Sequence, residues 1–265
     1  FSQQFVVDKR AGAAGTIGAE YVAKSAPDGY TLLVAGPGSV AVAPLLFPKL
    51  GYNPLKDLAP ITMLVTMPYI IVAHPSVPAK NAGELIKLAK ANPGKLNMAS
   101  GGAGTGQHLA GELFNVMAGI KMIHIPYKGT APAIADIMGG HADLTFSDPS
   151  VLPQLQAGRL KVIGVSGSKH YPPLPNVPTV SESGLPGFDA LNWYPFMAPT
   201  GTPKELIARL NTEAVKALNA PDVKEKLLAQ GLIPAPMTPD ELGRFIREDY
   251  ERWEKVIKLA NVKLN

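Results

Sequence analysis

The sequence predicts an α/β fold with mostly parallel sheets in two lobes, and three observations support this. Short β runs alternate with amphipathic helices between residues 30 and 165, as they do in parallel sheets. The 265 residues, 46% hydrophobic and 17% charged, are enough to bury cores in two compact lobes. A Pro- and Gly-rich stretch at residues 171–203 has no regular pattern, and it is suited to carry the chain between the lobes.

The β runs and helices follow one another along the chain. A short first strand is expected at residues 5–7, and further β runs at residues 30–35, 96–100, 121–126, 142–146 and 161–165. A helix is expected directly after the glycine-rich residues 101–106, because Leu109, Leu113, Val116 and Ile120 repeat at a 3.6-residue period. Two shorter helices are expected at 130–138 and 151–156.

The last third of the chain predicts long surface helices that pack on a lobe. Thr202 with Glu205, and Thr238 with Glu241, have the spacing of a capping box, and a proline follows each threonine. Apolar side chains then repeat at helical spacing in both segments. We therefore expect two amphipathic helices that begin at these boxes.

Composition excludes several classes of protein. The absence of cysteine excludes a disulfide scaffold, a thiol nucleophile and any cysteine-ligated metal centre. No apolar run approaches the roughly 18 residues that span a bilayer. The net charge of +4 comes from scattered lysines with few aromatic residues, which is too weak a pattern for nucleic-acid binding. It is compatible with an anionic ligand.

The strongest candidate site is the glycine run between a β run and a helix. Free N–H groups at the positive end of a helix dipole bind carboxylate or phosphate, and glycines allow a ligand to approach closely. Two hydroxyls also stand in this run. The alternative is a tight turn without a ligand. The candidate residues are Ser100, Gly101, Gly102, Gly104, Thr105 and Gly106.

Three further places at the ends of β runs or the start of a helix are candidates. Gly36 to Ser39 is either a plain turn or a ligand-binding loop. Asp148, next to Ser147, is either a helix N-cap or an acceptor that faces a ligand, since ligands of open α/β sheets lie at the carboxyl ends of strands. His108 is expected either to face the cleft or to be a satisfied polar group.

Catalytic, nucleotide-binding and metal-binding motifs are incomplete. The segment around Ser166 resembles a G-x-S-x-G nucleophile elbow but lacks the final glycine. Gly12, Gly15 and Gly18 have the wrong spacing for a dinucleotide fingerprint, and no lysine completes a phosphate-binding loop. His108 and Glu112 share a helix face, but two ligands do not make a metal site. We therefore expect no catalytic residues, no metal and no cofactor.

With these motifs in place, the chain resembles the Bug-type periplasmic solute receptors of tripartite tricarboxylate transporters. Five segments carry the resemblance, in the family's order and along essentially the whole chain. They are residues 26–33 (APDGYTLL), 107–114 (QHLAGELF), 124–129 (HIPYKG), 174–180 (LPNVPTV) and 198–203 (APTGTP).

The resemblance implies a two-lobed, type II periplasmic-binding-protein-like fold with the ligand cleft between the lobes. We expect lobe 1 to comprise residues 1–72 and 197–265, and lobe 2 residues 73–196. The family holds carboxylates partly through backbone groups, and the matching positions here are the loop from Ser100 to Gly106, residues 36–39, and Ser147 with Asp148. Closure about a hinge near Val72 and Phe196 is expected.

The resemblance also implies the partners and location of the protein. The ligand is expected to be a small organic acid: a di- or tricarboxylate, an acidic amino acid or an aromatic acid. A monomer in the periplasm would deliver it to membrane transporter subunits. Relatives begin with another strand, loop and helix, so about 30–40 further N-terminal residues are expected, which would complete the carboxylate site.

Two functions from different classes remain to be compared. One is a binding protein without catalysis, and the other is an α/β enzyme, either a serine hydrolase or a nucleotide-dependent transferase. Each catalytic route lacks a required residue, whereas glycine loops rich in backbone donors suffice for reversible capture. The sequence therefore favours the binding protein.

Overall fold

The computed structural model describes residues 4–10, 12–47 and 49–262. They form two β-sheets flanked by helices, which confirms the α/β class. The helices are α1 (Thr16–Ala23), α2 (Ala43–Leu46), α3 (Pro54–Asp57), α4 (Ala82–Ala91), α5 (Gly106–Ala118), α6 (Thr130–Met138), α7 (Leu152–Gln156), α8 (Lys204–Asn219), α9 (Pro221–Ala229) and α10 (Pro239–Ala260). The strands are β1 (Leu33–Val34), β2 (Leu58–Pro68), β3 (Ile70–Ala73), β4 (Asn97–Ser100), β5 (Ile123–Pro126), β6 (Leu144–Ser147), β7 (Lys161–Val165), β8 (Leu191–Pro199) and β9 (Ile233–Pro234).

The sheet of five strands has the order β5-β4-β6-β3-β7 and is mostly parallel, as predicted. Strand β4 pairs in parallel with both β5 and β6, and β3 alone runs antiparallel to its neighbours β6 and β7. The parallel strands end on the same side of the sheet. The helices α5 and α6, which follow β4 and β5, therefore begin at the same edge.

The sheet of four strands has the order β1-β8-β2-β9, and every described pairing in it is antiparallel. The expectation of a mostly parallel sheet is wrong here. The long strands β2 and β8 are the two stretches of chain that lead to and from the five-stranded sheet, so they run in opposite directions. They pair along nearly their whole length, from Leu58 opposite Pro199 to Pro68 opposite Leu191. Strand β8 also corrects the prediction that residues 171–203 are irregular throughout.

The strand predicted at residues 5–7 is not formed. Residues 5–7 belong to none of the strands in the described part of the chain, and Phe5, Val6 and Val7 are 67%, 89% and 79% exposed. The prediction relied on local β propensity, which forms a strand only when a neighbour supplies backbone hydrogen bonds.

One of the two predicted capping boxes is formed. Thr238 accepts from the Glu241 amide, and the Glu241 carboxylate accepts from the Thr238 amide at 2.8 Å, which starts α10. The Thr202 box is wrong, because the Thr202 hydroxyl donates to the Pro199 carbonyl at 2.8 Å instead. The Thr202 hydroxyl is thus used in the turn that follows β8, and α8 begins at Lys204 without a side-chain cap.

The amphipathic helix α10 connects parts of the core. It packs against β2 and against α5, and its Ile246 and Trp253 side chains are buried. The buried Asp249 carboxylate accepts from the indole nitrogens of Trp253 and Trp193 at 2.8 and 3.1 Å. None of the helices in the described ranges is both long enough and apolar enough to cross a membrane.

Candidate anion-binding cleft

A cleft of about 250 Å³ opens at the carboxyl ends of β4 and β6. Its far wall comes from the segment before α2 and from strand β8. Fourteen residues line it: Ala14, Gly36, Pro37, Gly38, Tyr69, Gly101, Thr105, Gly106, Gln107, Gly129, Thr130, Asp148, Asn192 and Tyr194. This is the place in an α/β sheet where ligands are expected.

The backbone N–H groups of the loop between β4 and α5 donate hydrogen bonds to acceptors within the loop and at the start of α5. Gly101 N–H donates to Gln107 Oε1 at 2.7 Å, and Gly104 N–H donates to His108 Nδ1 at 3.1 Å. The Gly102 amide donates to the Ser100 hydroxyl, and its carbonyl accepts from the Thr105 hydroxyl at 2.8 Å. The amides of Gly101, Gly102 and Gly104 are thus already used inside the loop.

The donors that remain are those of the helix start itself. The first N–H groups of an α-helix have no intrahelical acceptor, and at the start of α5 these belong to Gly106 and Gln107. The third, of His108, is capped by Thr105 Oγ1 at 3.4 Å. Gly106 and Gln107 both line the cleft. The backbone donors that remain open to a ligand therefore lie in the first turn of the helix, at the predicted helix N-terminus, rather than in the glycine loop itself.

Gly106 is required by a close approach across the cleft. A Cβ atom at this position would lie 2.0 Å from the Tyr69 hydroxyl oxygen. Tyr69 is buried and connects β2 to β3, and its hydroxyl reaches the cleft lining beside the start of α5. The glycine therefore admits a phenol next to the helix N-terminus.

Gln107 holds two helix N-termini beside each other. While its Oε1 accepts from Gly101, its Nε2 donates to the Thr130 hydroxyl at 3.0 Å at the start of α6. Gly129 N–H donates in turn to the Gly101 carbonyl at 3.1 Å. The positive ends of the dipoles of α5 and α6 consequently open on the same cleft.

The opposite wall is built from two separate segments. Asn192 and Tyr194 are alternate residues of β8 and therefore share one face of the sheet. Asn192 Nδ2 donates to the Tyr194 hydroxyl at 3.4 Å. Gly36 lies against this pair, and a Cβ added there would be 3.6 Å from the Tyr194 ring.

The charge in the cleft is unusual for an anion site. Asp148 carries the one charged side chain among the fourteen lining residues. Its Oδ1 accepts from Ser150 N–H at 2.9 Å, which confirms the predicted N-cap of the short 3₁₀ turn Pro149–Val151. Positive potential must therefore come from backbone dipoles.

The buried His108 and the half-buried His124 contact the glycine loop on the side away from the cleft. The rings of His108 and His124 stack with centroids 3.7 Å apart, and His124 Nε2 lies 2.6 Å from the Ser100 hydroxyl. Burial, together with His124, lowers the pKa of His108 to about 3, and burial lowers the pKa of His124 to about 4. Both are neutral at pH 7, which leaves His108 Nδ1 free to accept from Gly104.

The structure places some of the predicted site residues in the cleft and others behind it. Gly36, Gly101, Thr105, Gly106 and Asp148 line the cleft. Ser39, Ser100, Gly102, Gly104, His108 and Ser147 are not among the lining residues. Of these six, Ser100 and His108 bind the glycine loop by hydrogen bonds.

Sequence reasoning missed several polar lining residues. Gln107 directly follows the glycine run, so its position was a usable signal. Asn192 and Tyr194 alternate as strand residues do, but they lie in a segment predicted to be irregular. Nothing in the local sequence marks Tyr69.

The serine of the incomplete nucleophile elbow has a structural task. Ser166 is fully buried, and its hydroxyl donates to the Ala190 carbonyl while it accepts from Tyr69 N–H at 2.7 Å. Its proton is already committed to the backbone, and it does not line the cleft.

Comparison with known proteins agrees with this architecture. A family model described as "Tripartite tricarboxylate transporter family receptor" matches residues 1–262. "Protein BugT" of Bordetella pertussis is 38% identical over 264 residues, 99% of this chain and 81% of that protein. A structure from R. palustris, "Rpa4515 with adipate", has a TM-score of 0.91 at 35% identity and covers 99% of this chain and 88% of its own. "MatC (Rpa3494) from Rhodopseudomonas palustris with bound malate" has a TM-score of 0.82 at 34% identity, covering 93% and 85%.

Proposed function

Because the chain belongs to the tripartite tricarboxylate transporter receptor family, we propose that it captures a small carboxylated organic acid in the described cleft. The observation that carries this proposal is the convergence of the N-termini of α5 and α6 on one cleft. Solved relatives hold adipate and malate, which are both small carboxylates. The ligand of this chain belongs to the same broad class: a di- or tricarboxylate, an acidic amino acid or an aromatic acid.

The chemistry of the lining supports a carboxylate. The backbone N–H groups of Gly106 and Gln107 offer hydrogen bonds to an anion at a positive helix end. The side chains of Thr130, Asn192 and Tyr194 add neutral donors around them. A site of this kind binds a carboxylate through dipoles and hydrogen bonds and releases it reversibly.

Closure of the two lobes accompanies capture in this proposal, with lobes at residues 1–72 plus 197–265 and 73–196. The ends of the paired strands favour lobe boundaries a few residues earlier in the chain than Val72 and Phe196. The chain passes from the four-stranded to the five-stranded sheet at Tyr69 and returns before Leu191. We therefore place the two hinges there rather than at Val72 and Phe196.

The family supports a proposal for the biological setting. The protein acts in the periplasm as a monomer and delivers its ligand to the membrane subunits of a tripartite transporter. An enzymatic function is disfavoured, because the Ser166 hydroxyl that resembled a nucleophile is buried and bonded to the backbone.

Isothermal titration calorimetry against a panel of organic acids tests the proposal. The panel contains succinate, malate, aspartate, glutarate, glutamate, adipate, citrate and benzoate. Saturable 1:1 binding of at least one acid is expected, with a raised melting temperature, because a ligand that binds only the folded state stabilises it. A panel without any saturable binder contradicts the proposal. Small-angle scattering with the best binder should show a smaller radius of gyration if the lobes close.

A further inference from the structure

Asp148 places an unpaired negative charge inside a cleft built for anions. Asp148 forms no ion pair among the described residues, and its Oδ1 accepts a hydrogen bond from Ser150 N–H. A neighbouring cavity of about 650 Å³ shares Asp148 and Tyr194 with the cleft and is lined largely by apolar residues such as Met67 and Leu152. The carboxylate therefore stands between a polar cleft and an apolar cavity, without a cation of its own.

Two polar groups of the cleft that lie close enough to be influenced by this carboxylate, the phenols of Tyr69 and Tyr194, are neutral. Burial raises the pKa of the Tyr69 phenol, and burial raises that of Tyr194, with the charge of Asp148 adding to both shifts. Both phenols stay protonated at neutral pH. Neither phenol donates a hydrogen bond to Asp148 in the described part of the chain, so Asp148 Oδ2 retains its capacity to accept.

We propose that Asp148 is a specificity-determining residue that selects carboxylates carrying a hydroxyl or ammonium donor over unsubstituted acids of the same length. This inference rests on the proposed function. The carboxylate of the ligand takes the N–H groups of Gly106 and Gln107, and its donor substituent faces Asp148. A plain dicarboxylate instead brings negative charge towards Asp148 with no hydrogen bond in return.

Matched acid pairs measure this selection directly. Affinities of succinate, malate and aspartate are compared by calorimetry, as are those of glutarate and glutamate, and of adipate and 2-aminoadipate. The donor-bearing member of each pair that binds is expected to be about 10-fold or more tighter, as for hydrogen bonds to charged groups.

The variant Asp148→Asn removes the negative charge of the side chain with little change in its shape, so it tests the effect of the charge alone. Asparagine is also a good N-cap, so the bond from Ser150 and the fold are retained, which the melting temperature checks. The variant should bind the donor-bearing acids more weakly and the unsubstituted acids more tightly, so that the ratio within each pair falls towards one. The matched control is Asp222→Asn, which removes one exposed charge that lines neither the cleft nor the neighbouring cavity.

Two outcomes would count against the inference in different ways. If unsubstituted acids bind as tightly as their partners and Asp148→Asn leaves every ratio unchanged, Asp148 does not select and the proposed function stands. If no acid in the pairs or in the wider panel binds, the proposed function fails and the inference fails with it.

Discussion

Ser166 bonds the backbone of Tyr69 in both directions: Tyr69 N–H donates to Ser166 Oγ at 2.7 Å, and Ser166 N–H donates to the Tyr69 carbonyl at 2.9 Å. The same serine bonds Ala190 twice, through its hydroxyl and through its carbonyl. Tyr69 and Ala190 lie on the two stretches of chain that pass between the sheets. One buried serine at the end of β7 therefore joins both passages.

Replacing Ser166 with alanine should destabilise the protein by about 1–3 kcal/mol, because the Tyr69 amide would lose its acceptor in a buried place. Urea unfolding gives the free energy of unfolding. Ser168→Ala is the matched control, since Ser168 is two residues further on and exposed. Equal stability of the two variants would show that the Ser166 hydroxyl contributes nothing to the junction.

Replacing Gly106 with alanine should weaken carboxylate binding, because the new Cβ would lie 2.0 Å from the Tyr69 hydroxyl oxygen. Either the helix start or the Tyr69 side chain must then move. Overpacking of this kind should also lower the free energy of unfolding by about 1–3 kcal/mol. Adding Tyr69→Phe removes the clashing oxygen, so the double variant should recover much of the lost stability.

Gly243→Ala provides the control for this pair of variants. Gly243 lies inside α10, and an added Cβ would meet only ordinary contacts at 3.5 and 3.6 Å. Alanine should be neutral or slightly stabilising there. If Gly106→Ala behaves like Gly243→Ala in both unfolding and calorimetry, the close approach of Tyr69 does not constrain the helix start.

The stability of the protein should fall as the pH is lowered below about 6.5. Burial lowers the pKa of His108 to about 3 and that of His124 to about 4. Between these values and the ordinary pKa of 6.5 the unfolded chain binds more protons than the folded chain, so acidification favours unfolding. The stabilising effect is fully present above 6.5 and is lost progressively towards pH 3–4. Glu112, whose pKa burial raises, works in the opposite direction.

Urea unfolding between pH 7.5 and 4.5 measures this dependence. His108→Asn keeps an acceptor for Gly104 N–H but cannot be protonated, so its stability should fall less steeply with pH. The exposed His141 supplies a control, His141→Asn, for the loss of one histidine. If the free energy of unfolding of His108→Asn falls with pH as steeply as that of the wild type, another group causes the acid sensitivity.

The sequence was informative where local pattern and structure coincide. The β4 strand, the glycine run and α5 are found where they were expected, because a short β run, φ-permissive glycines and a 3.6-residue period agree there. Gly102 and Gly104 adopt φ values of +139° and +77° that other residues rarely adopt. Asp148 was likewise identified, since an aspartate before proline favours an N-cap.

The sequence was uninformative where long-range pairing decides the structure. Strand β2 contains Pro60 and Pro68, which argue against a strand, yet β8 pairs with it along nearly its whole length. Three of the fourteen residues that line the cleft, Tyr69, Asn192 and Tyr194, lie on these passages. Sequence alone also could not show that the glycine loop satisfies its own amides, because the acceptor on His108 depends on its buried, neutral state.

The final prediction concerns Gln107, which joins the two helix starts. Gln107→Glu keeps both contacts, since a carboxylate accepts from Gly101 N–H and from the Thr130 hydroxyl, and an acidic residue suits the first turn of α5. The fold should therefore be retained. The variant does add a negative charge to the cleft wall where the ligand carboxylate is expected, and like charges a few ångströms apart should raise the Kd about 10- to 100-fold.

Calorimetry with the tightest acid of the panel measures the effect of Gln107→Glu, and thermal unfolding confirms that the variant is folded. Asn176→Asp adds the same charge at an exposed position outside the cleft and should leave the Kd close to that of the wild type. The loss should also diminish as the pH is lowered and the introduced glutamate becomes protonated. An unchanged Kd in a folded Gln107→Glu variant would mean that the ligand carboxylate does not lie at the starts of α5 and α6, since a charge added there would necessarily repel it.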